Sequence, residues 1–85
     1  MKIRVRFFAS VKESLGRDVE ELDVPAAVST VGGVRSYLRE RGGVWAETLA
    51  ESRRVAAAVN QDMVKPTAAI KSGDEVAFFP PVTGG

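Results

Sequence analysis

Apolar and polar side chains alternate with a period of two along several stretches of the chain, and this alternation is typical of half-buried β-strands. Apolar residues spaced three or four apart occupy other segments and predict helices. The predicted strands cover residues 2–8, 18–24, 54–59, 63–64 and 75–79, and the predicted helices cover residues 9–16, 30–41 and 44–49. A hairpin, a main helix and further strands, in this order, predict an α+β domain with one mixed sheet and the main helix packed on one face.

Basic residues occupy the solvent face of the first predicted strand, where Lys2, Arg4 and Arg6 alternate with apolar residues. Glu21 and Asp23 take the same face of the second predicted strand. If the two strands are antiparallel neighbours, these acids face Arg4 and Arg6 across the pair. We therefore expect the basic residues to have a structural role.

Two phenylalanines fall on the face of their strands that points away from the core. Phe8 ends the first strand and Phe79 ends the last one, while Ala56 and Ala58 give the third strand a small, uncharged outer surface. If the first and last strands are neighbours, these residues form one exposed apolar patch. Such a patch on a small protein indicates a binding partner.

Gly32 and Gly33 lie in the first turn of the main predicted helix. Glycine pairs of this kind can cradle a phosphate, but the Lys-Ser/Thr that completes the Walker pattern is missing and no strand immediately precedes them. We expect close helix packing, or simple tolerance of glycine, at this position.

The composition excludes several kinds of chemistry. The 85 residues fit one domain, and they include neither cysteine nor histidine, so the chain has no disulfide, thiolate or imidazole ligand, cysteine nucleophile or histidine base. The net charge of +1 gives no global field that would attract nucleic acid or an acidic membrane surface. No apolar run approaches the roughly 20 residues of a membrane span, and no signal peptide is recognisable, so we expect a soluble, cytoplasmic protein.

The chain ends in a slender peptide. Pro80 and Pro81 stop the last strand because proline has no N–H for the sheet, and Gly84 and Gly85 have no Cβ that would prevent entry into a narrow channel. We expect a domain over residues 1–80 and a flexible tail over residues 81–85. The tail alone is equally compatible with a frayed terminus.

Three segments together resemble the small, sulfur-carrying subunit of molybdopterin synthase, which has the ubiquitin-like β-grasp fold. They are residues 74–85 (DEVAFFPPVTGG), 5–9 (VRFFA) and 57–61 (AAVNQ). The resemblance extends over essentially the whole chain in length and element order. The glycines at positions 32 and 33 and the basic first strand are not part of the family's motif.

The resemblance implies a carrier whose reactive group is the α-carboxylate of Gly85. A ubiquitin-activating-type enzyme would use ATP and Mg²⁺ to adenylate this carboxylate, and a sulfur donor protein would convert it to a thiocarboxylate. The loaded carrier would then dock on the large subunit of the synthase, in a heterotetramer, and give sulfur to cyclic pyranopterin monophosphate. The carrier itself would bind no cofactor or metal.

The same resemblance assigns the partner-binding residues. The apolar docking surface would consist of Phe8, Met63 and Phe79. Pro80 and Pro81 would stiffen the exit of the tail, which lowers the entropy lost on insertion. Val82, Thr83, Gly84 and Gly85 would enter the active site of the large subunit.

Three other functions stay open. A carrier for thiamin synthesis or tRNA thiolation also ends in Gly-Gly, and a ubiquitin-like modifier would be conjugated to lysines through Gly85. A stand-alone enzyme is the weakest alternative, since Asp62, Asp74 and Glu75 lie at predicted turns, where we expect solvated acids without a nucleophile or a metal cluster.

Overall fold

The computed structural model describes residues 1–81, which form five strands and three helices. The strands are β1 (Lys2–Phe7), β2 (Val19–Asp23), β3 (Ala56–Val59), β4 (Asp62–Val64) and β5 (Glu75–Phe79), and the helices are α1 (Ala9–Leu15), α2 (Val31–Arg39) and α3 (Gly43–Thr48). The predicted elements are all confirmed, with ends that shift by one or two residues. None of the helices in this part of the chain is long and apolar enough to cross a membrane.

The strands form one mixed sheet in the order β2-β1-β5-β3-β4. The central pair β1 and β5 is parallel, and the other three pairs are antiparallel. The first and last strands are therefore neighbours, which is the condition for Phe8 and Phe79 to share one patch. The predicted α+β architecture with a mixed sheet is confirmed.

One face of the sheet packs against the helices and forms a single core cluster. Phe7 of β1 and Phe78 of β5 stack with their ring centroids 6.4 Å apart, and Trp45 of α3 meets Phe7 edge-on at 5.6 Å. The main helix α2 contributes three residues at helical spacing, Val31, Val34 and Leu38, which are almost completely buried. The core therefore follows the predicted periodicities.

Gly32 of α2 is explained by close packing. A Cβ at this position would lie 3.1 Å from the carbonyl oxygen of Pro66, and the Gly32 N–H donates a 2.8 Å hydrogen bond to that same oxygen. The Gly33 N–H donates to the Thr30 hydroxyl, which caps the helix. The close-packing interpretation of the glycine pair is confirmed.

The expected pairing of basic and acidic residues across β1 and β2 is half right. Arg4 lies opposite Glu21 and donates a 3.1 Å hydrogen bond to its carboxylate. The register places Asp23 opposite Lys2, and it places Arg6 opposite Val19. The predicted contact of Arg6 with an acid of β2 is wrong, because the residue opposite Arg6 is Val19, which precedes Glu21, the first outward-facing acid of β2.

Asp74 is buried, which corrects the expectation of a solvated turn acid. The residue is 3% exposed, and its carboxylate accepts hydrogen bonds from the Lys71 backbone N–H at 2.8 Å and the Asn60 amide at 3.0 Å. The Lys71 ammonium lies 3.2 Å away. Burial acts to raise the pKa of Asp74, but these hydrogen bonds and the ammonium outweigh it, so the pKa lies below its ordinary value.

Asn60 extends this cluster to the turn between β3 and β4. Its backbone φ is +49°, a conformation that asparagine tolerates better than most residues, and its side-chain oxygen accepts from the Glu75 N–H at 3.0 Å. We call Asn60, Lys71 and Asp74 the turn clamp. It ties the β3–β4 turn to the start of β5.

Replacing Asp74 with Asn should lower the free energy of unfolding by about 1–3 kcal/mol at neutral pH, because the amide keeps only one oxygen for the two N–H donors and removes the counter-charge of Lys71. The lowered pKa of Asp74 means that its carboxylate stabilises the fold above the unfolded pKa of about 4, and that this contribution disappears as the pH falls through the lower folded value. Urea denaturation of both proteins between neutral and acidic pH should show the difference shrink.

Asp62→Asn is the matched control, since Asp62 is exposed at the start of β4. It should change the free energy of unfolding by less than about 0.5 kcal/mol. If the difference in the free energy of unfolding between the wild type and Asp74→Asn did not change with pH, this would contradict a role for the Asp74 charge.

Candidate functional site

The sheet face opposite the helices carries an ordered row of side chains. The pairing registers align one residue from each strand, and in the sheet order this middle row reads Val19, Arg6, Ala77, Ala58 and Met63. The next row towards the end of β5 places Phe79 opposite Ala56. Phe8 follows β1 at this same edge, and its N–H donates to the Phe78 carbonyl oxygen at 3.1 Å.

These apolar residues form what we call the outer patch, which consists of Phe8, Val19, Ala56, Ala58, Met63, Ala77 and Phe79. The large side chains at its ends are exposed: Phe8 by 39%, Val19 by 46% and Met63 by 67%. Ala58 and Ala77 are buried and form a shallow floor between them. Apolar surface of this extent at one face is a feature of partner-binding sites.

The structure places the three residues expected to dock the partner, Phe8, Met63 and Phe79, on the same face of the sheet. Phe8 and Met63 are exposed, as expected. Phe79 is half-buried, so it is less exposed than expected, but it does not belong to the core. Ala58 is less exposed than its position on the outer face suggested. The docking role of the three residues stays a prediction, but their shared face is a fact of the fold.

The chain leaves the sheet beside the outer patch. β5 ends at Phe79, Pro80 is half-buried, and Pro81 is exposed. The parallel pairing with β1 brings this exit next to Phe8. Val82, Thr83, Gly84 and the expected reactive residue Gly85 lie outside the described residues.

Two members of the outer face were not singled out from the sequence as part of a docking surface. Val19 shares the outward phase of Glu21 and Asp23, so the alternation in β2 was a usable signal for it. Arg6 was assigned to an ion pair instead, and only the hairpin register corrects this. In the structure, the Arg6 guanidinium carbon lies 5.2 Å from the centre of the Phe8 ring.

The ionic contacts on the helix side of the sheet hold elements together. Arg41 donates to Glu20 of β2 and lies over the Trp45 ring at 4.4 Å, which ties the edge strand to α3. The hydrogen bond from Arg41 lowers the pKa of Glu20 and raises that of Arg41 itself. Among residues 1–81, no three acidic side chains are grouped in a way that could hold a metal ion.

Arg35 is a second structural cation. Its guanidinium donates hydrogen bonds of 2.5–3.0 Å to the carbonyl oxygens of Leu49, Ala50 and Arg53, and so fixes the connection between α3 and β3. Burial lowers its pKa from the ordinary value. These three hydrogen bonds all go to backbone carbonyl oxygens of the same chain, which fits a role in folding.

The model of the ThiS family matches residues 5–85 of the chain. The chain belongs to the ThiS family. It is similar to the molybdopterin synthase sulfur carrier subunits of Haemophilus influenzae, at 42% identity, and of Escherichia coli, at 46% identity. Each match covers 98% of this chain and 99% of the relative. The resemblance inferred from the sequence is confirmed.

Solved structures give the same fold. The putative molybdopterin converting factor subunit 1 of Pyrococcus furiosus is 28% identical with a TM-score of 0.78, and the match covers 96% of this chain and 99% of that one. A protein-protein complex of subunits 1 and 2 of the molybdopterin-converting factor of Helicobacter pylori matches with 26% identity, a TM-score of 0.65 and full coverage of both chains. The ubiquitin-like β-grasp prediction is confirmed.

The two faces of the sheet should respond differently to substitution. Met63→Lys on the outer face should change the free energy of unfolding by no more than about 0.5 kcal/mol, because its side chain is already solvated. Phe78→Ala on the core face should cost about 3–5 kcal/mol through the cavity it leaves. Urea denaturation of the two variants measures both values, and a large loss for Met63→Lys would contradict its place outside the core.

Proposed function

We propose that this chain is the sulfur carrier of molybdenum cofactor biosynthesis, with Gly85 as its reactive residue. The observation that carries the proposal is the position of the chain's exit. The strand that leads to the Gly-Gly terminus ends beside the outer patch. A partner held by the patch is therefore correctly placed to receive the tail.

The relatives support the specific reaction. Proteins that are 42% and 46% identical over nearly the whole chain are named molybdopterin synthase sulfur carrier subunits. In the proposed reaction, the Gly85 carboxylate attacks the α-phosphorus of ATP in an activating enzyme, releases pyrophosphate and becomes an acyl-adenylate. A donor protein then supplies sulfur at the oxidation level of sulfide, which attacks the acyl carbon, displaces AMP and leaves a thiocarboxylate at Gly85.

The chemistry explains why the carrier needs no catalytic side chain. A carboxylate is a poor electrophile because its charge is delocalised and it lacks a good leaving group, and adenylation supplies that leaving group. The thiocarboxylate then stores sulfur as a nucleophile for cyclic pyranopterin monophosphate. ATP and Mg²⁺ act in the activating enzyme, a step that we place in the cytoplasm.

The proposed partner is the large subunit of molybdopterin synthase, in a heterotetramer. A solved complex of two molybdopterin-converting factor subunits contains a chain of this fold, which supports a partner of this kind. Phe8, Met63 and Phe79 would contact its surface, and Pro80 and Pro81 would direct the last four residues into its active site. Stiff prolines reduce the entropy that binding must offset.

Incubation with the cognate activating enzyme, ATP, Mg²⁺ and a sulfur source should replace one oxygen of the Gly85 carboxylate by sulfur. Intact-mass spectrometry should show a mass increase equal to the difference between one sulfur and one oxygen atom. Deletion of Gly85 should abolish this increase and leave the thermal midpoint unchanged, because the core clusters lie within residues 3–78.

No mass change with a demonstrably active enzyme would exclude the carrier function. Isopeptide-linked adducts on many proteins would instead indicate a ubiquitin-like modifier. A thiocarboxylate without a stable complex with the synthase large subunit would indicate sulfur transfer for thiamin or tRNA.

Phe79→Lys and Met63→Lys should each weaken binding to the large subunit by roughly 10-fold or more, since a lysine in a desolvated apolar contact opposes association. Val44→Lys is the control, because Val44 is an apolar residue that is 42% exposed, like Met63 outside the core, but lies on α3 and not on the outer face. Calorimetric titration of the three variants measures the effect. Equal losses for Val44→Lys and Met63→Lys would show that the outer patch is not the docking surface.

A further inference from the structure

Arg6 lies in the middle row of the outer face, one strand in from the sheet edge, where the outer patch meets the charged residues Arg4, Glu21 and Glu75. In the middle row it lies between Val19 on β2 and Ala77 on β5, and Phe8 follows two residues later on the same face. Its guanidinium carbon is 5.2 Å from the centre of the Phe8 ring. A cation is thus placed among apolar side chains that a partner would cover.

The neighbouring carboxylates form ion pairs with other arginines or lie opposite Arg4, so they do not pair with Arg6. Glu21 accepts a hydrogen bond from Arg4, and Glu20 pairs with Arg17 and Arg41. Glu75 lies opposite Arg4 in the β1–β5 register. Within residues 1–81, no carboxylate oxygen lies within 4 Å of the Arg6 guanidinium, whereas Arg4, on the same face of the same strand, has Glu21 at 3.1 Å.

Covering the outer patch would remove water from Arg6. A buried charge without an acceptor is costly, so a partner that binds here must either supply an acceptor or lose affinity. The planar guanidinium offers a fork of N–H donors that matches a carboxylate in bidentate geometry, and stacking on an aromatic ring fixes its orientation in advance. The arrangement on this face therefore suits an acidic side chain of the partner.

We propose that Arg6 is a specificity-determining residue of the docking surface, and that it binds an Asp or Glu carboxylate set within an otherwise apolar surface of the partner protein. This inference rests on the proposed function, which supplies the partner as the synthase large subunit. The Arg6–carboxylate pair would add a charged contact to an interface that the outer patch alone would make purely apolar. Arg6 selects partners because a surface without the acid leaves this cation buried and unpaired.

Arg6→Met tests the pairing, since methionine keeps an unbranched apolar side chain and removes the charge. Affinity for the large subunit, measured by calorimetry, should fall by roughly 30-fold or more, because loss of one partner leaves the other charge buried. The dependence of the dissociation constant on salt concentration should also become weaker. Arg6→Lys should retain the salt dependence but bind more weakly than the wild type, since lysine is a point charge without the planar fork.

Arg4→Met is the matched control, because it also removes a cation from the outer face of β1. Arg4 already pairs with Glu21 of the same chain, so it does not need an acid from the partner. Arg4→Met should change affinity by less than about 3-fold, in line with the small effect of exposed ion pairs. Thermal melts of all variants confirm folding, and Arg6→Gln serves as a second charge-removing variant if Arg6→Met does not fold.

Unchanged or tighter binding by Arg6→Met would overturn the proposal, because it would show that the partner offers an apolar surface to this position. Self-association of Arg6→Met with unchanged affinity for the large subunit would also overturn it, and would show that Arg6 only keeps free carriers apart. Either of these results for Arg6→Met leaves the proposed function intact, as long as the wild type takes up sulfur and binds the large subunit. If the wild type does neither, both the function and the inference fail.

Discussion

The parallel pairing of β1 with β5 is the contact on which the rest of the molecule depends. Four residue pairs join the start of the chain to its last strand, from Arg4 opposite Glu75 to Phe7 opposite Phe78. A parallel pair cannot be closed by a short turn, so the helices and the β3–β4 hairpin lie in the connection between the two strands. The same pairing brings Phe8 and the exit of the tail together at one edge of the sheet.

The two faces of these central strands divide the work between stability and binding. The core face places large rings against one another, with Phe7 between Phe78 and Trp45. The outer face places alanines in the middle of the sheet, with larger side chains at its ends, and so leaves a shallow surface that another protein can cover. The turn clamp holds the start of β5, where the Asn60 side chain forms hydrogen bonds with both the Asp74 carboxylate and the Glu75 N–H. The strand that leads to the tail is therefore fixed at the end opposite the tail.

Much of this arrangement could be predicted from the sequence, because strand and helix periods are local properties. Period two placed Phe8 and Phe79 on the outer face, and the prolines marked the end of β5. The register between strands was not predictable in the same way, since a shift of two residues between β1 and β2 keeps every side chain on its face and changes only the residues that lie opposite one another. This is why the Arg4–Glu21 pair was correct and the acid expected for Arg6 was wrong. The expectation for Asp74 fails for a related reason: one of the donors to its carboxylate, the Asn60 amide, comes from a turn 14 residues earlier in the chain.

The function proposed for this chain places two opposing requirements on the position of Arg6. A carrier that meets several proteins in turn would need an exposed apolar surface, but such a surface also favours association with copies of itself. A cation stacked on Phe8 keeps that surface hydrated in the free protein, because its charge resists burial without an acceptor. A partner with a carboxylate in the right place removes this resistance and gains a charge-assisted hydrogen bond. One side chain can therefore lower the tendency to self-associate and raise the preference for the correct partner, provided that the partner is the one that brings the acid.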